Sequence, residues 1–286
     1  MENLRGIALM IFAMASFTTG DMFLKMAAGR LDVPQILLTQ AVIGTAIFWL
    51  MVRTGGQRLF GRDLLHWAVI WRVVAEIFGT TGIVMALSLI AFSSVSAITQ
   101  AMPLVVTLGA ALILKEHVGW RRWIAILIGL SGVLIIIRPG AGTFDANALW
   151  AVLATIGFAM RDLLSRPVPR SISTARLSAL GFLSLVPAGL VLMPFFTAPI
   201  APDGETWTYL ILMIAFTMIA YFAITAAMRL GEVSAIAPFR YARLIFAMTV
   251  GILVFGDRPD AWTYLGAAIT VAAGLYAFLR EARVKA

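Results

Sequence analysis

The sequence predicts an all-α polytopic membrane protein, with ten transmembrane helices arranged as two inverted five-helix repeats (5+5). Composition, the spacing of apolar runs and self-similarity at one offset carry that reading. Of 286 residues, 61% are hydrophobic and 13% charged, against about 25% charged in a soluble domain. So little charge cannot coat a soluble globule of this size, and apolar runs recur from Leu4 to Leu279. The absence of cysteine excludes disulfides, thiolate metal sites and cysteine nucleophiles. The net charge of +8 suits loops that touch anionic head groups. No basic domain is left over for nucleic acid, which is not an expected partner.

At about 20 residues per crossing, the apolar runs give spans at 4–28, 34–52, 67–90, 93–114, 120–137, 147–165, 175–196, 207–229, 232–255 and 261–280. Trp67, Trp71, Trp120, Trp123, Trp150, Trp207 and Trp262 fall near span ends, as interfacial aromatics do. The first span opens like a signal peptide, with Arg5 and an Ala13-Met14-Ala15 site. Its apolar run continues to Ala28, so it is read as an uncleaved helix. Most Lys and Arg outside the spans lie on the N-terminal side, among them Arg53, Arg58, Arg62, Lys115, Arg121, Arg122 and Arg176. The opposite side carries Arg30, Arg138 and Arg258. The positive-inside rule then predicts a multi-pass protein of the cell inner membrane with both termini in the cytoplasm.

Set against itself, the sequence keeps one register. Ala13 meets Ala154, Phe17 meets Phe158, Asp21 meets Asp162 and Lys25 meets Arg166; Ala86 meets Ala227, Ser93 meets Ser234 and Glu116 meets Asp257. Every pair is 141 residues apart. The division predicted is 1–141 for the first repeat and 142–286 for the second. Five spans per unit is odd, so the second unit enters the membrane from the other side, a transporter signature.

The end of each unit's fourth span carries a family resemblance. In the first, Gln100-Ala101-Met102-Pro103 runs to Lys115-Glu116, followed by Gly129 and Gly132. In the second, Pro238-Phe239-Arg240-Tyr241 runs to Phe255-Gly256-Asp257, followed by Gly266 and Gly274. With the length and the two units, this resembles the drug/metabolite transporter superfamily in its EamA-type ten-helix form. The second unit departs in carrying Leu244 where the first has Pro103, and Asp257 where the first has Glu116. The resemblance implies that spans 1, 3, 4, 6, 8 and 9 surround a central cavity, with 5 and 10 as scaffold. It also implies movement of amino acids and related small metabolites.

Charges at mid-membrane cost at least about 2.5–3.5 kcal/mol and default to function. Glu76 lies about 13 Å beyond Trp67 along its span, one turn after Arg72. Arg240 and Arg243 lie about 12–17 Å beyond Glu232; Thr99 and Gln100 reach a similar level, and Thr217, Tyr221 and Thr225 share a helix face. Glu76, Gln100, Tyr221, Arg240, Tyr241 and Arg243 are therefore the expected substrate-binding residues. The arginines would grip a carboxylate, Glu76 an amine, and Tyr221, Phe239 and Tyr241 would form aromatic walls; the competing reading makes Glu76 the structural partner of Arg72 or Arg240. Asp21 with Lys25 and Asp162 with Arg166, each pair four residues apart, are read as locally paired gates, one at each mouth. Pro34, Pro103, Pro187 and Pro238 interrupt spans, the first and third as tolerated kinks; Gly79 with Gly82 and Gly129 with Gly132 are read as close helix contacts.

Function is then predicted as secondary transport of small polar metabolites by alternating access, with amino acids as the cargo and export favoured. The alternative is uptake of a cofactor-like solute such as S-adenosylmethionine or riboflavin; a channel or lipid flippase is the reading from another class. An enzyme is not expected. Gly129-Leu130-Ser131-Gly132 mimics an intramembrane serine protease, but His66 and His117 both precede the serine and sit at span ends. Arg138-Pro139-Gly140-Ala141-Gly142 lacks the Lys-Ser/Thr ending of a phosphate loop. No metal or cofactor is predicted. The expected partners are a small-molecule substrate and the bilayer, with the chain a monomer or homodimer.

Overall fold

The computed structural model describes residues 2–116, 118–139, 145–169, 171–230 and 236–285. His117, Glu232, Ser234, residues 140–142 of the glycine-rich loop and the boundary between the two expected repeats lie outside the described residues, as does the Thr225 side chain. The helices are α1 (Glu2–Ala28), α2 (Val33–Thr54), α3 (Trp67–Leu89), α4 (Phe92–Thr99), α5 (Met102–Leu112), α6 (Trp120–Ile137), α7 (Ala148–Leu164), α8 (Thr174–Leu183), α9 (Leu185–Leu192), α10 (Gly204–Leu230), α11 (Ala242–Phe255) and α12 (Ala261–Lys285). Among the described residues, nine stretches are long and apolar enough to cross a membrane, with mean hydropathy of 1.3 to 2.0. The tenth expected span is α7. Its 17 residues reach about 26 Å, just below the others in length.

Three spans are not continuous helices. The fourth breaks between Thr99 and Met102, and Pro103 stands in the first turn of α5. The ring disfavours helical backbone just before it and removes an N–H, so the helix restarts there. The ninth contains a 3-10 turn over Ala237–Tyr241, with Pro238 in its first turn, before α11 begins. The seventh breaks at Ser184, shortly before Pro187. Pro34 corrects the expectation of an interruption. It sits in the first turn of α2, where its missing N–H has no helical partner to lose.

Local caps set other boundaries. The Asp203 carboxylate accepts from the Thr206 backbone N–H at 2.8 Å, so α10 starts three residues earlier than its hydropathy suggests. Asp260 accepts from Thr263 N–H at 2.9 Å at the start of α12, and His66 Nδ1 accepts from Ala68 N–H at 3.3 Å before α3. Hydrogen bonding to Thr206 and Thr263 holds the Asp203 and Asp260 carboxyls below the usual carboxylate range. α11 ends on Gly256 at φ +67°, left-handed backbone that favours glycine.

Small residues let the helices approach. A Cβ on Gly79 would come 2.6 Å from the Phe158 ring, and one on Gly82 would come 2.7 Å from the Ala154 nitrogen. Those contacts join α3 to α7. At the 141-residue register the same places on α10 and α1 hold Ala223 and Ala13, which are buried in one cluster with Met10 and Met14. Between α6 and α12, Gly129 faces Ala273 while Gly132 faces Thr270. Shifting each residue by 141 exchanges one contact for the other. Thr270 Oγ1 donates to the Gly129 carbonyl at 3.1 Å. Ser131 is exposed and donates to the Ile128 carbonyl at 2.7 Å, so this stretch is a helix contact. The outer surface is apolar, with Ile245 and Leu253 exposed by 69% and 77%, as lipid-facing residues are.

Candidate substrate cavity

The breaks in the fourth and ninth spans meet. Gln100 Nε2 donates to the Tyr241 carbonyl at 3.4 Å, and these residues are 141 apart. Around them opens a cavity of about 370 Å³, within the range of small-molecule sites. Its walls come from α1, α3, the two breaks, α5, α7, α10 and α11, with Gln40 of α2 and Gly181, Phe182 and Leu185 of α8 and α9 closing one side. α6 and α12 contribute no lining residue. Interrupted helices at a transporter's centre present backbone and half-helix ends to the ligand.

Glu76, Gln100, Tyr221, Arg240, Tyr241 and Arg243 all line this cavity. Their partners differ from the expectation. Glu76 Oε1 lies 3.2 Å from Arg161 Nη1, and its Oε2 lies 3.8 Å from Arg72 Nη2. Gly181 leaves room for that carboxylate, since a Cβ there would sit 3.1 Å from Glu76 Oε2. Arg72 is structural: Nε donates to Ser165 Oγ at 2.9 Å and Nη1 to the Leu177 carbonyl at 3.1 Å. Arg243 pairs with Asp21 and lies 5.4 Å from the Phe17 ring. Arg240 is in no ion pair among the described residues, and Asp162 lines the same cavity. Tyr241 is 8% exposed, and its buried hydroxyl lacks a hydrogen-bond partner. A Cβ at Gly274 would collide with that hydroxyl. Phe239 does not line the cavity and is exposed; it sits on the 3-10 turn with its ring turned outward.

Sequence reasoning missed Arg161, Gln40 and three further aromatic walls, while Tyr221 and Tyr241 line the cavity as expected. Arg161 Nη2 lies 2.8 Å from Asp162 Oδ1, and its guanidinium stands 4.7 Å from the Phe158 ring. An arginine inside a short apolar helix was the available signal. Gln40 offers a buried Oε1 with no hydrogen-bond partner, while Nε2 faces Met213 Sδ at 3.3 Å. Phe17, Phe158 and Phe182 supply the ring surfaces, with Tyr221.

The local gate pairs are not formed. Asp21 and Asp162 line the cavity and pair with Arg243 and Arg161, because both carboxylates turn inward to the cations there. Lys25 reaches the end of α3, where Nζ donates to the carbonyls of Leu87 and Ile90 at 2.9 and 2.7 Å. It also stands 5.6 Å from the Phe255 ring, which stacks on Phe92 at 5.3 Å. Asp257 Oδ2 accepts from the Ser93 N–H at 2.8 Å beside it. At the other end of the bundle, Arg166 Nη1 lies 2.9 Å from Glu116 Oε1, with both side chains about half exposed. Arg166 and Glu116 occupy the registers of Lys25 and Asp257.

The sequence pattern of the EamA-like transporter family matches residues 4–138 and, a second time, 146–279. The chain belongs to the EamA-like transporter family. Its family is one of transporters within the drug/metabolite superfamily, not of enzymes. Among its relatives, the S-adenosylmethionine uptake transporter of Rickettsia prowazekii is 23% identical over 97% of this chain and 94% of its own. The riboflavin transporter of Vibrio cholerae is 29% identical over 94% and 91%. The pseudopaline exporter of Pseudomonas aeruginosa is 22% identical over 94% of each. One solved crystal structure aligns over 98% of this chain and 99% of that one, with a TM-score of 0.63 at 17% identity; that likeness shows the fold. This EamA-like protein is a membrane-spanning transporter of small metabolites.

Proposed function

We propose that this EamA-like transporter takes up a cofactor-like solute that combines a carboxylate, a cationic group and a flat ring system, of the S-adenosylmethionine kind. The observation that carries the reading is Arg240, a cavity arginine without an ion-pair partner among the described residues. It supplies a charge-assisted site for a carboxylate. Glu76, Asp21 and Asp162 offer the opposite charge within the same cavity, and Phe17, Phe158 and Phe182 offer ring surfaces. Lining a site for an uncharged ring with this many charges would add desolvation cost without a matching partner, so a charged solute is preferred over riboflavin. The names of the relatives match uptake of such solutes better than amino-acid export.

Transport proceeds by alternating access between the units 1–141 and 142–286, with both termini in the cytoplasm of the cell. Lys25 with Asp257 closes one mouth and Arg166 with Glu116 closes the other. Proteoliposomes preloaded with unlabelled S-adenosylmethionine test this. Counterflow of labelled S-adenosylmethionine, lost in Arg240→Ala, is the expected result. Counterflow with alanine or leucine but not S-adenosylmethionine would return the cargo to amino acids, and counterflow with riboflavin would remove the charge argument. Because the chain has no cysteine, single cysteines at Arg138 and Lys115 test the orientation: labelling from outside intact cells is expected only at Arg138.

A further inference from the structure

A second hollow opens on the flank of the bundle between α5, α6 and α7, with a volume of about 350 Å³. Thr155 is the one polar side chain lining it, and its hydroxyl already donates to the Ala151 carbonyl at 2.7 Å. Leu112, Ile113 and Ile156 at the rim are exposed by 64%, 46% and 46%. The hollow therefore opens toward lipid and asks for an apolar occupant.

In the C-terminal half two of the corresponding positions carry larger side chains. At the 141-residue register Val105 corresponds to Phe246 and Thr155 to Met14. Phe246 packs on the buried cluster of Met10, Ala13 and Met14. Val105 and Thr155 are smaller than Phe246 and Met14, and a gap among packed helices forfeits the contacts of every atom around it. Hydrocarbon chains are the apolar species that surround this surface. The chain that leaves the hollow at Leu112 and Ile113 leads to basic residues. Lys115 is exposed three residues beyond Leu112, and Arg121 opens α6 with its guanidinium 5.2 Å from the Trp120 ring.

We propose that this hollow holds one acyl chain of an anionic phospholipid, with its head group against Lys115 and Arg121. The chain occupies the volume that Phe246 occupies in the other half, and basic residues at a membrane surface favour an anionic head group. The lipid thereby braces α7, the helix that carries Arg161 and Asp162 into the central cavity.

The test is native mass spectrometry of the full chain, purified in mild detergent from membranes containing phosphatidylglycerol and phosphatidylethanolamine. Wild type is expected to retain one phosphatidylglycerol per chain. Val105→Phe, which copies the other half, and Ile156→Trp, at an exposed rim position, are each expected to lower retention about tenfold, equivalent to losing roughly two buried methylenes. Equal retention in wild type and both variants, with unchanged melting temperatures, would overturn the site. Preferential retention of phosphatidylethanolamine, or no effect of Lys115→Gln with Arg121→Gln on lipid choice, would overturn the head-group assignment.

Discussion

The N-terminal and C-terminal halves build the central cavity from matching backbone positions and unmatched side chains. At the 141-residue register, Thr99 faces the cavity where the other half has Arg240, Met102 where it has Arg243, and Gly20 where it has Arg161. The exchange runs the other way at Glu76, whose counterpart is Thr217. Cations are concentrated on the C-terminal side, while Asp21 and Glu76 come from the N-terminal side. A cavity with identical halves would accept an unsymmetrical ligand in two orientations. Under the proposed function, unequal charges select one, with the carboxylate end of the solute toward the C-terminal half. In that proposal, matching backbone contacts serve the interconversion of states and unmatched side chains serve recognition.

The largest effect should come from Arg240. Arg240→Ala is expected to reduce counterflow about 10- to 100-fold, the value of a charge-assisted hydrogen bond, whereas Thr99→Ala at the matching position should change it less than about twofold. Equal losses in the two variants would show that the halves share recognition. Glu76→Gln comes next. It leaves Arg161 and Arg72 without their shared acid, and breaking a buried pair of this kind costs about 3 kcal/mol. A lower melting temperature in detergent is expected, while Thr217→Ala leaves it unchanged.

The two mouths give a smaller contrast. Lys25 is tied to two backbone carbonyls and stands over Phe255, whereas the Arg166–Glu116 pair is half exposed. Lys25→Gln is expected to increase labelling of a single cysteine placed at Thr80 from the Arg138 side. Arg166→Gln should alter labelling from the other side less, because exposed pairs contribute about 0–1 kcal/mol. A larger response from Arg166 would reverse the assignment of the tighter closure.

The smallest effect concerns pH. Asp63, in the loop before α3, accepts from Arg176 Nη1 at 2.6 Å, and that hydrogen bond holds its carboxyl below the usual 3.8. The tie contributes stability above the unfolded value and loses it as pH falls through the lower folded value. Melting curves of wild type and Asp63→Asn should therefore converge as pH drops below about 4 and differ slightly at neutral pH. A difference that persists at low pH would remove the carboxylate from the account.

Much of the cavity was legible because charge is expensive in an apolar span. Glu76, Arg240 and Arg243 stand out on composition alone. Arg161 also falls inside a span, but only packing against α3 shows it beside Glu76. Asp21 and Asp162 were read as gates at the two mouths, because the four-residue spacing to Lys25 and Arg166 suggested local pairs. Helix spacing gives proximity along one face, while the cavity supplies stronger partners from other helices. Phe239 failed for a related reason: a 3-10 turn rotates its neighbours differently from an α-helix.

The sequence by itself determined that this is an all-helical membrane protein with a repeated register, because apolar length and charge placement answer directly to the bilayer. It also marked the prolines at which the fourth and ninth spans break, whereas Pro187, expected as a tolerated kink, follows a break at Ser184. Tertiary structure decided which charges neutralise one another, which aromatic rings face the cavity and which hollow stays open to lipid. Those outcomes depend on the rotation and approach of helices far apart in the chain, set by contacts such as Gly82 with Ala154 and Gly132 with Thr270, and no local pattern encodes them.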